Sequence, residues 1–136
     1  MAGLNERLID ENAKFFEAET NVASATSSAL RTGTGGQLGA TKIVLRANEN
    51  ISLADTKVMT LAVSTSATES GTYTPIASSV VTASGATVFS AGAIIAEVVL
   101  PRTAGEFSKV TVSTDETTPS GKFDVFCSSP LGFSNV

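Results

Sequence analysis

Val58-Met59-Thr60-Leu61-Ala62-Val63 is the stretch that decides the class of fold. Met59, Leu61 and Val63 occupy every second position, with Val58, Thr60 and Ala62 between them. A period of two sends one set of side chains to a core and the other to the opposite face of a strand. Upstream, Ile43, Leu45 and Ala47 alternate in the same way with Lys42, Val44 and Arg46. Further strands are expected over 73–81, 86–89, 93–100, 107–114 and 122–127. Turn-forming residues separate them, among them Asn48-Glu49-Asn50, Glu69-Ser70-Gly71, Ser84-Gly85, Ala91-Gly92, the run 101–105 and Pro119-Ser120-Gly121. About seven or eight short strands divided by turns, with no second helix, predict an all-β fold: a jelly-roll-like antiparallel β-sandwich.

Before Thr41 the pattern differs. Residues 4–19 read as one amphipathic α-helix: Asn5 suits the N-cap, Leu4 and Ile9 hold the positions of a hydrophobic staple, and Leu8, Ile9, Phe15 and Phe16 form an apolar side. Residues 20–40 are rich in Ala, Ser, Thr and Gly. They read as a linker or extended arm, because so little bulky apolar surface does not offset the entropy of ordering it. The expected organisation is therefore a helix and flexible or extended arm over 1–40, a sandwich over 41–129 and a C-terminal tail over 130–136.

A chain of 136 residues suits one domain. Only 16% of it is charged, and 17 Ser and 18 Thr fill much of the polar share, a composition that suits strands and turns with an uncharged surface. Nine basic residues against 13 acidic ones, with no basic cluster, argue against nucleic acid as a partner. The single Cys127 has no partner for an internal disulfide, and its place after Phe123 and Val125 reads as a buried, reduced thiol. Glu6 and Asp10 interrupt any secretory signal, and the apolar run 91–100 contains Glu97 and is about half the length of a membrane-spanning helix. The expectation is a soluble chain that starts at its own Met1, with no membrane partner.

The sequence has no His, so the usual nucleophilic triads are absent and the commonest metal ligand is missing. The adjacent acid pair Asp115-Glu116 reads as a solvated turn, since acid–base chemistry needs carboxyls that face each other across a bond. The run from Gly33 to Gly39 misses the dinucleotide-binding spacing, and Ser120-Gly121-Lys122 is followed by Phe123, where a phosphate-binding loop has Ser or Thr. No catalytic residue, cofactor or metal is expected, and the chain is not read as an enzyme. Carbohydrate-binding sandwiches present flat aromatic platforms, and this chain has one Tyr and no Trp.

Over residues 93–99, Ile94, Ala96 and Val98 look core-facing, yet the opposite set Ile95, Glu97 and Val99 is also mostly apolar. A second apolar face needs a cover, either the chain's own N-terminal segment or a contact with another subunit. The segments 53–66, 96–102 and 107–112, followed by Ser120-Gly121-Lys122-Phe123-Asp124-Val125, together resemble the jelly-roll cement, or decoration, proteins of tailed bacteriophages. A strand ending in Leu100-Pro101, a strand of alternating β-branched residues, and a Gly-Lys hairpin opening the last strand carry the resemblance, which covers roughly two thirds of the chain. It implies a protein on the outer surface of the virion that clamps neighbouring major capsid protein subunits as a homodimer or homotrimer. Leu4, Leu8, Ile9, Phe15, Phe16, Ile95, Glu97, Val99 and Phe133 are the expected interface residues, with packing inside the chain as the competing role. The competing function is a carbohydrate- or receptor-binding module of a virion or cell surface.

Overall fold

Alternating apolar residues, many of them β-branched, pair most readily with other segments of the same pattern, because each strand then buries one face and satisfies its backbone groups laterally. The computed structural model describes residues 14–31, 42–101 and 104–128. Among the described residues there are eleven strands and no helix: β1 (Lys14–Thr20), β2 (Ser24–Thr26), β3 (Leu30–Arg31), β4 (Lys42–Ala47), β5 (Ile51–Leu53), β6 (Val58–Ser66), β7 (Thr74–Thr82), β8 (Thr87–Phe89), β9 (Ile94–Val99), β10 (Phe107–Thr114) and β11 (Lys122–Ser128).

Their pairing is nested. β6 pairs with β7, β5 with β8, β4 with β9, β2 and β3 with β10, and β1 with β11, every pair antiparallel. This long double ribbon folds over so that β11 also pairs with β4 and β10 with β6. The result is a four-stranded sheet in the order β1-β11-β4-β9, a second sheet in the order β2-β10-β6-β7 with β3 also on β10, and the small β5-β8 ladder.

The core joins both larger sheets in one cluster. Ile43, Leu45, Phe123 and Val125 from the first meet Met59, Leu61, Val63 and Val110 from the second, all fully buried. Each such side chain contributes about 1.5–3 kcal/mol of transfer free energy. Gly121 turns the chain into β11 with φ +80°, and a Cβ there would run into the carbonyl oxygen of Asn50, so only glycine fits.

The expected helix over 4–19 is corrected where it can be seen. Residues 4–13 lie outside the described residues, but Lys14–Thr20 is a strand on the edge of β11. An isolated helix of that length is marginal in water, whereas pairing with β11 buries Phe16 and sets its ring edge-on to Phe123, centroids 5.3 Å apart. The expected arm is corrected in the same way over its described part, since β2 and β3 are hydrogen-bonded to β10. Thr26 and Thr111 face each other there with their hydroxyls 3.1 Å apart. Residues 32–41 and the tail after Ser128 lie outside the described residues.

Candidate binding surfaces

The outer face of the four-stranded sheet is built from rows that cross it. Lys14, Phe126, Val44 and Glu97 are successive partners in one row; Ser128, Lys42 and Val99 form the next on one side, and Asp124, Arg46 and Ile94 the next on the other. β9 joins this face irregularly. Leu45 pairs with Ala96 and Arg46 with Ile94, so Ile95 is an extra residue in the ladder. That bulge turns both Ile95 and Ala96 inward and leaves Ile94 49% exposed. The expected faces of this strand are thereby corrected at two positions: Ile95 belongs to the core, and Ile94 to the surface. Glu97 and Val99 point outward, with Val99 52% exposed.

Asp124 is the electrostatic centre of the face, only 5% exposed. Its carboxylate accepts the Ala18 N–H at 2.8 Å, the Arg46 Nη2 at 3.0 Å and the Asn48 Nδ2 at 3.3 Å. Burial works to raise its pKa, but the Ala18, Arg46 and Asn48 bonds and the Arg46 charge outweigh it and hold the carboxyl below its ordinary value. The bond to Ala18 also fixes a residue with φ +51°, unusual for a side chain with a Cβ, at an irregular point of β1. Arg46 lies over the Phe126 ring at 5.0 Å while it pairs with Asp124. Lys42 and Glu97, 3.8 Å apart and both exposed, form a pair of the kind that contributes little.

Phe126 and Val44 are 6% and 4% exposed, yet neither belongs to the core cluster. The sequence did hold a signal for them: in 42–47 and 122–128 the outward positions Val44 and Phe126 are apolar as well as the inward ones, which marks strands covered on both sides. Of the other expected interface residues, Phe16 is buried in the core and so is not an exposed anchor, and Phe15 is half-buried against it. Leu4, Leu8, Ile9 and Phe133 lie outside the described residues. The structure thus brings Glu97 and Val99 together with Ile94, Val44 and Phe126, three residues that were not expected there.

The outer face of the second sheet has another character. Thr26 meets Thr111, which meets Ala62 and then Ser78; Ser24 meets Ser113, then Thr60 and Val80. Both rows are free of charge, and Val80 is 58% exposed. Lys109, one row further along, lies over the Tyr73 ring at 4.6 Å.

A concavity of about 460 Å³ opens between β5, β8 and the loop after β10, lined by Ser52, Thr87, Val88, Glu116, Thr118 and Ser120 among others. Its one carboxylate is committed to the fold, since Glu116 accepts the Ala54 N–H at 2.7 Å and the Thr117 N–H at 3.0 Å. Asp115 likewise accepts the Val58 N–H at 2.8 Å, so the acid pair expected to be a solvated turn ties that turn to β5 and β6. Among the described residues no three His, Cys, Asp or Glu side chains are grouped to hold a metal ion, and no helix is long and apolar enough to cross a membrane. Burial pushes the Cys127 thiol up to about 12. No protein-family profile matches the sequence, and no curated protein matches it significantly.

Proposed function

We propose that this chain is a non-enzymatic structural protein of a virion, a cement or decoration protein that binds the outer surface of a phage head and stabilises the major capsid protein lattice. The observation that carries this reading is the hydroxyl-lined outer face of the second sheet, whose two rows across β2, β10, β6 and β7 hold no charge. Ser and Thr lose little rotamer entropy when a surface closes over them, and rows without charge require no ionic desolvation on docking. Such a face suits a broad, flat contact with another folded protein more than capture of a small molecule.

The nested pairing supports a finer reading of the fold as a jelly roll. Setting aside the short β3, β5 and β8, the eight remaining strands pair first with last, second with seventh, third with sixth and fourth with fifth. A homodimer or homotrimer of such domains gains on a repeating lattice through effective concentration, so each contact can be weak.

The test is co-sedimentation with expanded heads that lack the protein, followed by heating. Binding and a higher temperature of genome release are the expected outcomes, and Thr111→Lys with Ser78→Glu abolishes both while leaving the fold intact. Failure of the wild-type chain to bind any such particle would sink the proposal. A carbohydrate-binding module is the second reading, favoured by the cleft where Ser52, Thr87, Thr118 and Ser120 stand among mostly apolar surface. Saturable binding on a glycan panel, lost in Thr87→Val with Ser120→Ala, would decide for it.

A further inference from the structure

We propose that β7 is an association edge, along which a second copy of this chain adds its own β7 antiparallel about a two-fold axis at Val80, so that the second sheets of the two copies run on as one. The inference does not depend on the capsid reading. It starts from the edges of the two larger sheets, since an edge strand presents unmet backbone groups and is usually guarded by charge, proline, irregularity or shortness. β1 carries Lys14, Glu17 and Glu19 and shifts register twice against β11, β9 carries Glu97 and the extra residue Ile95, and only the short β2 and β3 stand on the far side of β10. β7 is the exception, with nine residues and no charge among them. Its proline, Pro75, and its register shift lie together at its start, so the strand is regular from Ala77 to Thr82.

Among the described residues β7 pairs with β6 alone; β9 approaches it from the other sheet but pairs only with β4. Ala83, just after the strand, shows which backbone groups point which way. Its N–H donates to the Lys57 carbonyl and its carbonyl accepts the Thr56 N–H, both at 2.9 Å, so it faces the β6 side. Direction alternates along an antiparallel strand, so Val81 and Ser79 also face β6, while Ser78, Val80 and Thr82 turn their N–H and C=O groups to the open edge. All three are exposed, Val80 by 58%. Pairing with a second copy, centred on Val80, sets Val80 against the partner's Val80, Ser78 against the partner's Thr82 and Ser79 against the partner's Val81. Each pair joins residues of one face, as a continuous sheet requires, and the groups that point across belong to the pairs that exchange bonds. No charge meets its like, Pro75 stays outside the contact, and the exposed valine is covered by its equivalent. The uncharged row Ser24, Ser113, Thr60, Val80 then continues across the axis in reverse order.

One strand pairing is a small contact, so the dimer is expected to depend on concentration. Sedimentation of the full-length chain is expected to pass from monomer to dimer between micromolar and millimolar protein. Val80→Pro is expected to abolish the dimer and keep the fold, because the N–H it removes faces the open edge and no bond to β6 is lost. Val80→Lys is the second variant if the proline impairs folding. In a Cys127→Ser background, Val80→Cys is expected to form a disulfide-linked dimer on mild oxidation severalfold faster than Thr111→Cys, on the face of the sheet, or Val99→Cys, on β9. A wild-type chain that stays monomeric throughout overturns the proposal and leaves β7 to a foreign strand. So does a trimer, which this two-fold pairing does not allow, a dimer that survives both Val80 substitutions, or faster cross-linking through Val99→Cys, which assigns the contact to β9. No particle enters these measurements, so their failure leaves the capsid reading standing, and failure of that reading leaves the edge dimer standing.

Discussion

β10 and β11 are both flanked on two sides, but the sheets they centre are built differently. Between β10 and β6 the register runs unbroken from Phe107 opposite Ser66 to Thr114 opposite Met59, and burial alternates at every residue of β10. In the four-stranded sheet, β1 shifts register twice against β11 and β9 once against β4, and four consecutive residues of β11, Phe123 to Phe126, are buried. One sheet has a dry face and a wet face. The other is buried on both faces at its centre, and its edge strands carry the irregularities.

The largest effect that tests this contrast comes from two rings on one strand. Phe123→Ala is expected to lower unfolding free energy by about 3–5 kcal/mol, because the ring is fully buried against Phe16. Phe126→Ala, on the opposite face, is expected to lower it by about 1.5–3 kcal/mol. Urea titrations with an unchanged m-value measure both; a negligible loss for Phe126→Ala would mean that the outer face is wet. Gly121→Ala comes next, at about 2–3 kcal/mol in the same titration, since a Cβ there is strained by φ and blocked by the Asn50 backbone.

Asp124→Asn is expected to lose about 1–3 kcal/mol at neutral pH. The folded-state pKa is depressed, so the stabilisation is complete above the unfolded carboxyl value of about 3.9 and fades as pH falls through the lower folded value. Stability curves of wild type and Asp124→Asn should therefore converge in acid; parallel curves would deny Asp124 this role. Cys127, half-buried against the core, should react with thiol reagents at pH 8 more slowly in the native protein than in denaturant, because burial raises its pKa. The smallest effect belongs to the other sheet: Thr111→Lys is expected to change stability by no more than about 0.5 kcal/mol, because its side chain stands on the outer face.

Strand positions from Lys42 onward were legible to within a residue or two, apart from the short β5 and the last three residues of β6, because a run such as 58–63 can bury one face only by extending. β1 was not. Phe15 and Phe16 fit a helical stripe as well as a strand, and only the free edge of β11, more than a hundred residues later in the chain, makes the strand the better burial for Phe16. The β9 faces failed for a smaller reason. A single extra residue at Ile95 reverses the parity of everything before it, and nothing local announces it.

The sequence by itself determined that the chain forms sheets, that its surface is poor in charge and that it has no histidine for catalysis or metal binding, since composition and period depend on each residue and its near neighbours. Only the tertiary structure decided that the N-terminal residues 14–31 complete both sheets, that Ile95 turns inward and Ile94 outward, and that Asp124 holds β1 through Ala18. Those outcomes depend on partners far away in the chain, and an edge strand takes its shape from the strand it joins.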